Sequence, residues 1–368
     1  MRATISVSIA LVCAFVCTGF VNSAYEQERA KLGDRHFRSG QALTGANDLP
    51  GAAEEFRKAL LFAPDNRDYR LSLATALVSG GKLEEAESHL EQLSQEDPTN
   101  GRINLLLARV ALRQHHPTEA MESYQRAVYE YWPPDEFAQR RTARWELIDL
   151  LAANGKHRDQ LVGELLQLYG NLPPHSDQRL RVASLLLKAG ADAEAAHVFQ
   201  EVLKDSANET AARAAQDLVS AHSGLANVAF RAGDFVEARH EYQRALRAAP
   251  DDLSTAAQLQ LTNDIIDIAP QLPNISPTER LRRSQNLLNR VTAGLLSCAL
   301  EGEEKDALQA RLQNLNDAAT HKRGDKDDEA ALLQDAAQDL WKNHSSFCGT
   351  TKLSDRAVEA VLPRLGQQ

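Results

Sequence analysis

The chain has 368 residues, 43% hydrophobic and 25% charged, a globular balance long enough for two or three domains. With 51 Asp and Glu against 41 Lys and Arg it carries a net charge of −10, which excludes the electrostatic footprint of a general nucleic-acid binder. Aromatics are only 5%, so sugar-stacking surfaces are scarce.

Residues 1–24 stand apart. One early cation, Arg2, precedes an apolar run from Ile5 to Val21, and small or polar residues follow. That is the layout of a secretory signal peptide, cleaved after Ser23 or Ala24. The alternative is an uncleaved membrane anchor, since about 17 apolar residues sit at the lower limit for spanning a bilayer. Valines before Cys13 and Cys17 speak against lipidation. Cleavage leaves Cys298 and Cys348, an even pair that reads as one disulfide in an exported chain. The expected location is periplasmic or extracellular, with membrane attachment only through residues 5–21.

From Asn47 onward one pattern recurs. Ala52, Phe56, Ala59 and Pro64 sit at offsets 0, 4, 7 and 12, as do Ala86, Leu90, Leu93 and Pro98, and Ala238, Tyr242, Ala245 and Pro250. Ala120, Tyr124 and Ala127 match, with Trp132 and Pro133 at the end. Ala195, Phe199 and Val202 also match, and Leu161, Leu165, Leu168 and Pro173 form a looser copy. Offsets of 4 and 3 place these side chains on one helix face. The small residue permits close approach of a partner helix, and the proline ends the unit. A preceding helix closes at Gly81, Gly155, Gly190 or Gly233, where glycine tolerates the left-handed conformation. Its inward residues are Leu73, Ala74 and Leu77 in one unit, with Leu107, Ala108 and Ala111, then Val182, Ala183 and Leu186, then Leu225, Ala226 and Ala229 as equivalents.

Such a helix–turn–helix unit of 34 residues, the spacing from Ala52 to Ala86 to Ala120, resembles the tetratricopeptide repeat. The resemblance covers about residues 25–252 as six repeats. It departs in the extra length around residues 40–48, in Leu161 and one extra turn residue in repeat four, and in a long lead-in to repeat six. It implies an all-α fold: a right-handed α-solenoid of about six hairpins, followed by a small C-terminal helical bundle or cap. The domains are then 1–24, 25–252 and 253–368.

In the last third, "SPTERL" should open a helix with Ser276 as cap, Pro277 in the first turn and Glu279 reaching back. Leu281, Leu288, Val291, Leu295 and Cys298 form its stripe. Leu308, Leu312 and Leu315 mark a second helix, and Leu332, Leu333, Ala336 and Leu340 a third. Ser354 should cap a short final helix. No family resemblance covers this region.

No nucleophile elbow, phosphate loop or paired carboxylates appear. The expectation is a non-enzyme with no catalytic residue, no metal and no cofactor. His344, Cys348 and Cys298 are a weaker metal trio than a disulfide. The family resemblance implies a concave groove lined by first helices that binds proteins or peptides. Carried over residue by residue, it comprises Arg102, Leu105, Arg109, Leu112 and Arg113 in repeat three, and Trp145 and Asp149 in repeat four, where a register open by one residue equally allows Trp145 to be core. Leu180, Ser184 and Leu187 follow in repeat five, and Asn227, Phe230 and Arg231 in repeat six. Arginines there suit an acidic peptide, and Arg109 and Arg113 are expected to lie outside the packing set. Two functions remain: an exported scaffold for protein partners, or an envelope recognition subunit for a glycan or small molecule.

Overall fold

The computed structural model describes residues 2–173, 176–206, 211–297, 306, 309–310, 313–314, 325–344, 348 and 354–365, with the side chains of 2–22, 24, 206 and 211–215 outside that set. Cys298, Leu308, Leu312 and Leu315 therefore lie outside the described residues. The chain is an all-α helical-repeat solenoid. Its residues divide into two compact units, 1–170 and 171–368.

Unit one holds four hairpins: α1 (Arg2–Gly45) with α2 (Leu49–Phe62), α3 (Arg67–Ser79) with α4 (Leu83–Glu96), α5 (Gly101–Arg113) with α6 (Pro117–Tyr129), and α7 (Phe137–Asn154) with α8 (Arg158–Gly170). Each hairpin closes on its small residue. Ala52, Ala86 and Ala120 are all 0% exposed, whereas the bulkier Leu161 keeps 7%. The residues after each proline start the next helix. Asn66, two positions past Pro64, accepts from Tyr69 N, and Asn100, two past Pro98, accepts from Arg102 N and Ile103 N. The tripeptide that stops one repeat thus caps the next.

The hairpin turns need one residue with positive φ. Gly81, Gly155, Gly190 and Gly233 supply it at φ between 65° and 85°. In repeat three the position falls to His115, at φ 64°, with His116 N bonded to Ala111 O across the turn as Lys82 N is to Leu77 O.

Unit two holds α9 (Gln178–Lys188) with α10 (Asp192–Ser206), α11 (Ala211–Ala232) with α12 (Phe235–Ala248), then α13 (Leu253–Ile268), α14 (Pro277–Ser297), α15 (Lys326–Lys342) and α16 (Arg356–Val361). Asp252 repeats the capping device for α13. One core joins Phe235 of the sixth repeat to Ile265, Leu288, Val291, Leu333, Leu340, Cys348, Val358 and Val361.

Two local expectations are corrected. Ser276 does cap α14, accepting from Glu279 N, but the Glu279 carboxylate turns to Arg282 and Arg283 instead of reaching back. Two guanidiniums outcompete one backbone N–H, and they hold this carboxyl at about 2. The final helix is capped by Asp355, not Ser354, through Ala357 N and Val358 N. Among the described residues, no helix is long and apolar enough to cross a membrane.

Candidate functional site

Within unit one, α5 and α7 are the first helices of neighbouring hairpins. Between them lies a cleft of about 500 Å³, lined by Arg109, Leu112 and Arg113 from α5, Glu146, Asp149, Leu150 and Ala153 from α7, and Tyr124 from α6. Four residues expected to bind a partner thus meet in one cleft: Arg109, Leu112, Arg113 and Asp149. Leu112 is 39% exposed, an apolar side chain that the packing leaves open.

The cations have internal duties. Arg109 Nε and Nη2 donate to Glu146 Oε2 and Oε1 at 3.0 and 2.6 Å. Tyr124 adds its hydroxyl to Glu146 Oε2 at 2.9 Å. The hydrogen bond to Glu146 raises the Arg109 guanidinium above its usual range, and burial, followed by the Glu146 charge, raises the Tyr124 phenol. Arg113 Nη1 donates to the Val78 carbonyl at the end of α3, where the helix dipole favours a cation. The expectation that both arginines lie outside the packing set is therefore corrected. They staple adjacent first helices and line the cleft with their remaining edges. The lining balances two cations against two carboxylates.

Other predicted residues lie elsewhere. Arg102 pairs with Glu136 at 3.5 Å. Trp145 is 8% exposed and belongs to the packed interior, like Leu105 at 3%. In unit two, Asn227 accepts a 2.7 Å hydrogen bond from Tyr242. Phe230 meets Phe235 edge-on at 5.3 Å and packs against the C-terminal core. Arg231 donates to Leu187 O at the end of α9 and pairs with Asp192 at 3.0 Å, repeating the Arg113 staple at the same register.

One polar register escaped the sequence reading. His36 and His222 each precede their small residue by 16 positions (36 to 52, 222 to 238), and each Nδ1 meets a glutamate of the paired helix, Glu55 at 2.8 Å and Glu241 at 2.6 Å. Arg144 and Glu164 fill the same register in repeat four at 3.3 Å, displaced by its extra turn residue. In repeat three Arg126 bridges Asn104 and Ser123. Aligning polar as well as small residues across repeats would have found it. Among the described residues no three His, Cys, Asp or Glu side chains gather as a metal site.

Family models described as tetratricopeptide repeat match residues 37–101 and 105–176, 77–131, and 219–252. No curated protein matches the sequence. Among solved structures, the chain is similar to MamA protein (18% identity, TM-score 0.38, 48% of this chain and 92% of that one). It is also similar to Pseudomonas aeruginosa PilF (16%, 0.41, 63% and 99%) and to PilW, a type IV pilus biogenesis factor (16%, 0.39, 62% and 98%). These likenesses are too slight to bear on function.

Proposed function

Since this chain belongs to the tetratricopeptide repeat family, a family of protein-interaction scaffolds, we propose that it is an exported, non-catalytic scaffold that grips a protein partner in the α5–α7 cleft. The observation that supports this reading is the open Leu112 beside Leu150 and Ala153, flanked by fixed charges of both signs. A stapled arginine is already oriented, so binding to its unused edge costs little side-chain ordering. The partner segment places an apolar side chain on Leu112 and one carboxylate against the outer edge of Arg109 or Arg113. Balanced walls argue against a long acidic stretch, whose further charges would meet Glu146 and Asp149.

Residues 1–24 act as the leader, residues 25–252 as the repeat array and 253–368 as its cap. Cys348, buried at 8% in the C-terminal core, pairs with Cys298 after export. Thiol labelling of unfolded, unreduced protein from the native host should find no free thiol, and two per chain would remove the pair. The scaffold reading is tested by affinity capture from the native host with wild-type chain and Leu112→Glu side by side. A protein captured by the first and lost from the second supports the cleft. Equal capture by both removes it.

A further inference from the structure

The equivalent of the cleft in repeat six is not open. Asn227, Phe230 and Arg231 hold the repeat positions that Arg109, Leu112 and Arg113 hold in repeat three, each lying 11, 8 and 7 residues before its small residue (227, 230, 231 to 238; 109, 112, 113 to 120). Leu112 is exposed, whereas Phe230 packs against a core that contains Val358, Val361 and Leu362 from the C-terminal segment. Arg364 of that segment donates to Arg231 O at 3.4 Å, lies 5.4 Å from the Phe235 ring centre and covers Gly233, where an added Cβ would stand 3.0 Å from its Nε.

The segment has the properties of a bound helical peptide. Ala357, Val358 and Val361 are 0% exposed, while Arg356 and Glu359 face solvent, so one narrow apolar face does the docking. Asp355 caps the helix from within the segment, accepting from Ala357 N and Val358 N. Polar contacts fix its register at both ends: Asp355 accepts from Arg290 Nε at 2.7 Å, and Arg364 grips the end of α11. A short amphipathic helix laid by small apolar anchors into a helical groove is a general mode of peptide recognition.

We propose that the surface formed by the end of α11 with α12, α13, α14 and α15, whose Gln338 donates to Leu362 O at 3.4 Å, is a second binding site, and that Asp355–Leu365 is its exchangeable resident. The partner it takes is a short amphipathic helix with small and β-branched residues at the positions of Ala357, Val358 and Val361, an acid ahead of them and an arginine behind. Such a helix refills the part of the shared core that Ala357, Val358, Val361 and Leu362 occupy. The inference concerns unit two alone and stands or falls independently of the α5–α7 cleft.

Hydrogen exchange on the full, unaltered chain separates a resident ligand from an integral core helix. Amides of 357–362 should open by a local route, about tenfold or more faster than those of Leu287–Leu295 in α14. A second measurement uses a protease site inserted after Lys352. Once the folded chain is cut, a fluorescent synthetic peptide of residues 354–365 should exchange into it at one per chain, and the same peptide carrying Val358→Asp should not. Equal protection of the two helices, or peptide entry only at the rate of global unfolding, would overturn the proposal.

Discussion

Arg109 and Glu146 face each other across neighbouring hairpins, with both guanidinium–carboxylate contacts at or below 3.0 Å. The pair joins α5 to α7 and at the same time forms one wall of the cleft. Their side chains are 34% and 28% exposed, so solvent screens part of the attraction, but removal of either partner strands a half-buried charge. Arg109→Ala and Glu146→Ala should each destabilise by roughly 1–3 kcal/mol, with a double-mutant coupling of about 1 kcal/mol. Urea melts of the two single variants and the double variant measure it. Strict additivity would mean that the pair does no stapling.

Ala238 is 0% exposed where α12 meets α11. Ala238→Leu adds volume to a contact with no space and should cost about 1–3 kcal/mol. A thermal melt that matches wild type would show that the hairpin closes elsewhere.

His115 occupies a left-handed turn that glycine fills in other hairpins. A Cβ there carries a penalty of roughly 1–2 kcal/mol. His115→Gly recovers part of it, offset by the greater freedom glycine gives the unfolded chain. The expected net gain is a few tenths to about 1 kcal/mol, read as a raised denaturant midpoint. A lowered midpoint would count against the strain.

Burial works to raise the Glu241 carboxyl, but the hydrogen bond and charge of His222, joined by Arg244, outweigh it and leave the group below its ordinary value of 4.5. A carboxylate depressed in the folded state stabilises above its unfolded value, and that stability is lost as pH falls through the folded one. Unit two should therefore weaken on acidification from about pH 4.5 downward, and Glu241→Gln should flatten this acid limb. Identical acid limbs would exclude Glu241 as the cause.

The repeat was legible because it is written in packing residues. Ala52, Ala86, Ala120, Ala195 and Ala238 are each forced to be small by a helix a few ångströms away, and all five are fully buried. The helix-closing glycines were legible for a similar local reason. The charges were not. Arg109 looks free along its own helix, and only stacking brings Glu146, 37 residues on, to its guanidinium. The same holds for Arg113 and Val78, 35 residues apart. Phe230 read as a groove aromatic because nothing in its neighbourhood announces the core it packs against, which draws residues from more than a hundred positions later. Trp145 was ambiguous for a different reason: the extra turn residue in repeat four blurs which face it takes, and packing draws the large ring inside.

The most direct test is calorimetric titration of the captured partner into three chains: wild type, Leu112→Glu in the cleft, and Leu61→Glu on α2. Leu61 is 74% exposed and lies away from the cleft lining, so its variant controls for a charge added to the surface. Loss of one buried apolar contact together with a buried new carboxylate should weaken binding by about 2–4 kcal/mol for Leu112→Glu, and Leu61→Glu should bind as wild type does. Undiminished affinity in Leu112→Glu, with the fold intact, would contradict the assignment of the α5–α7 cleft as the binding site.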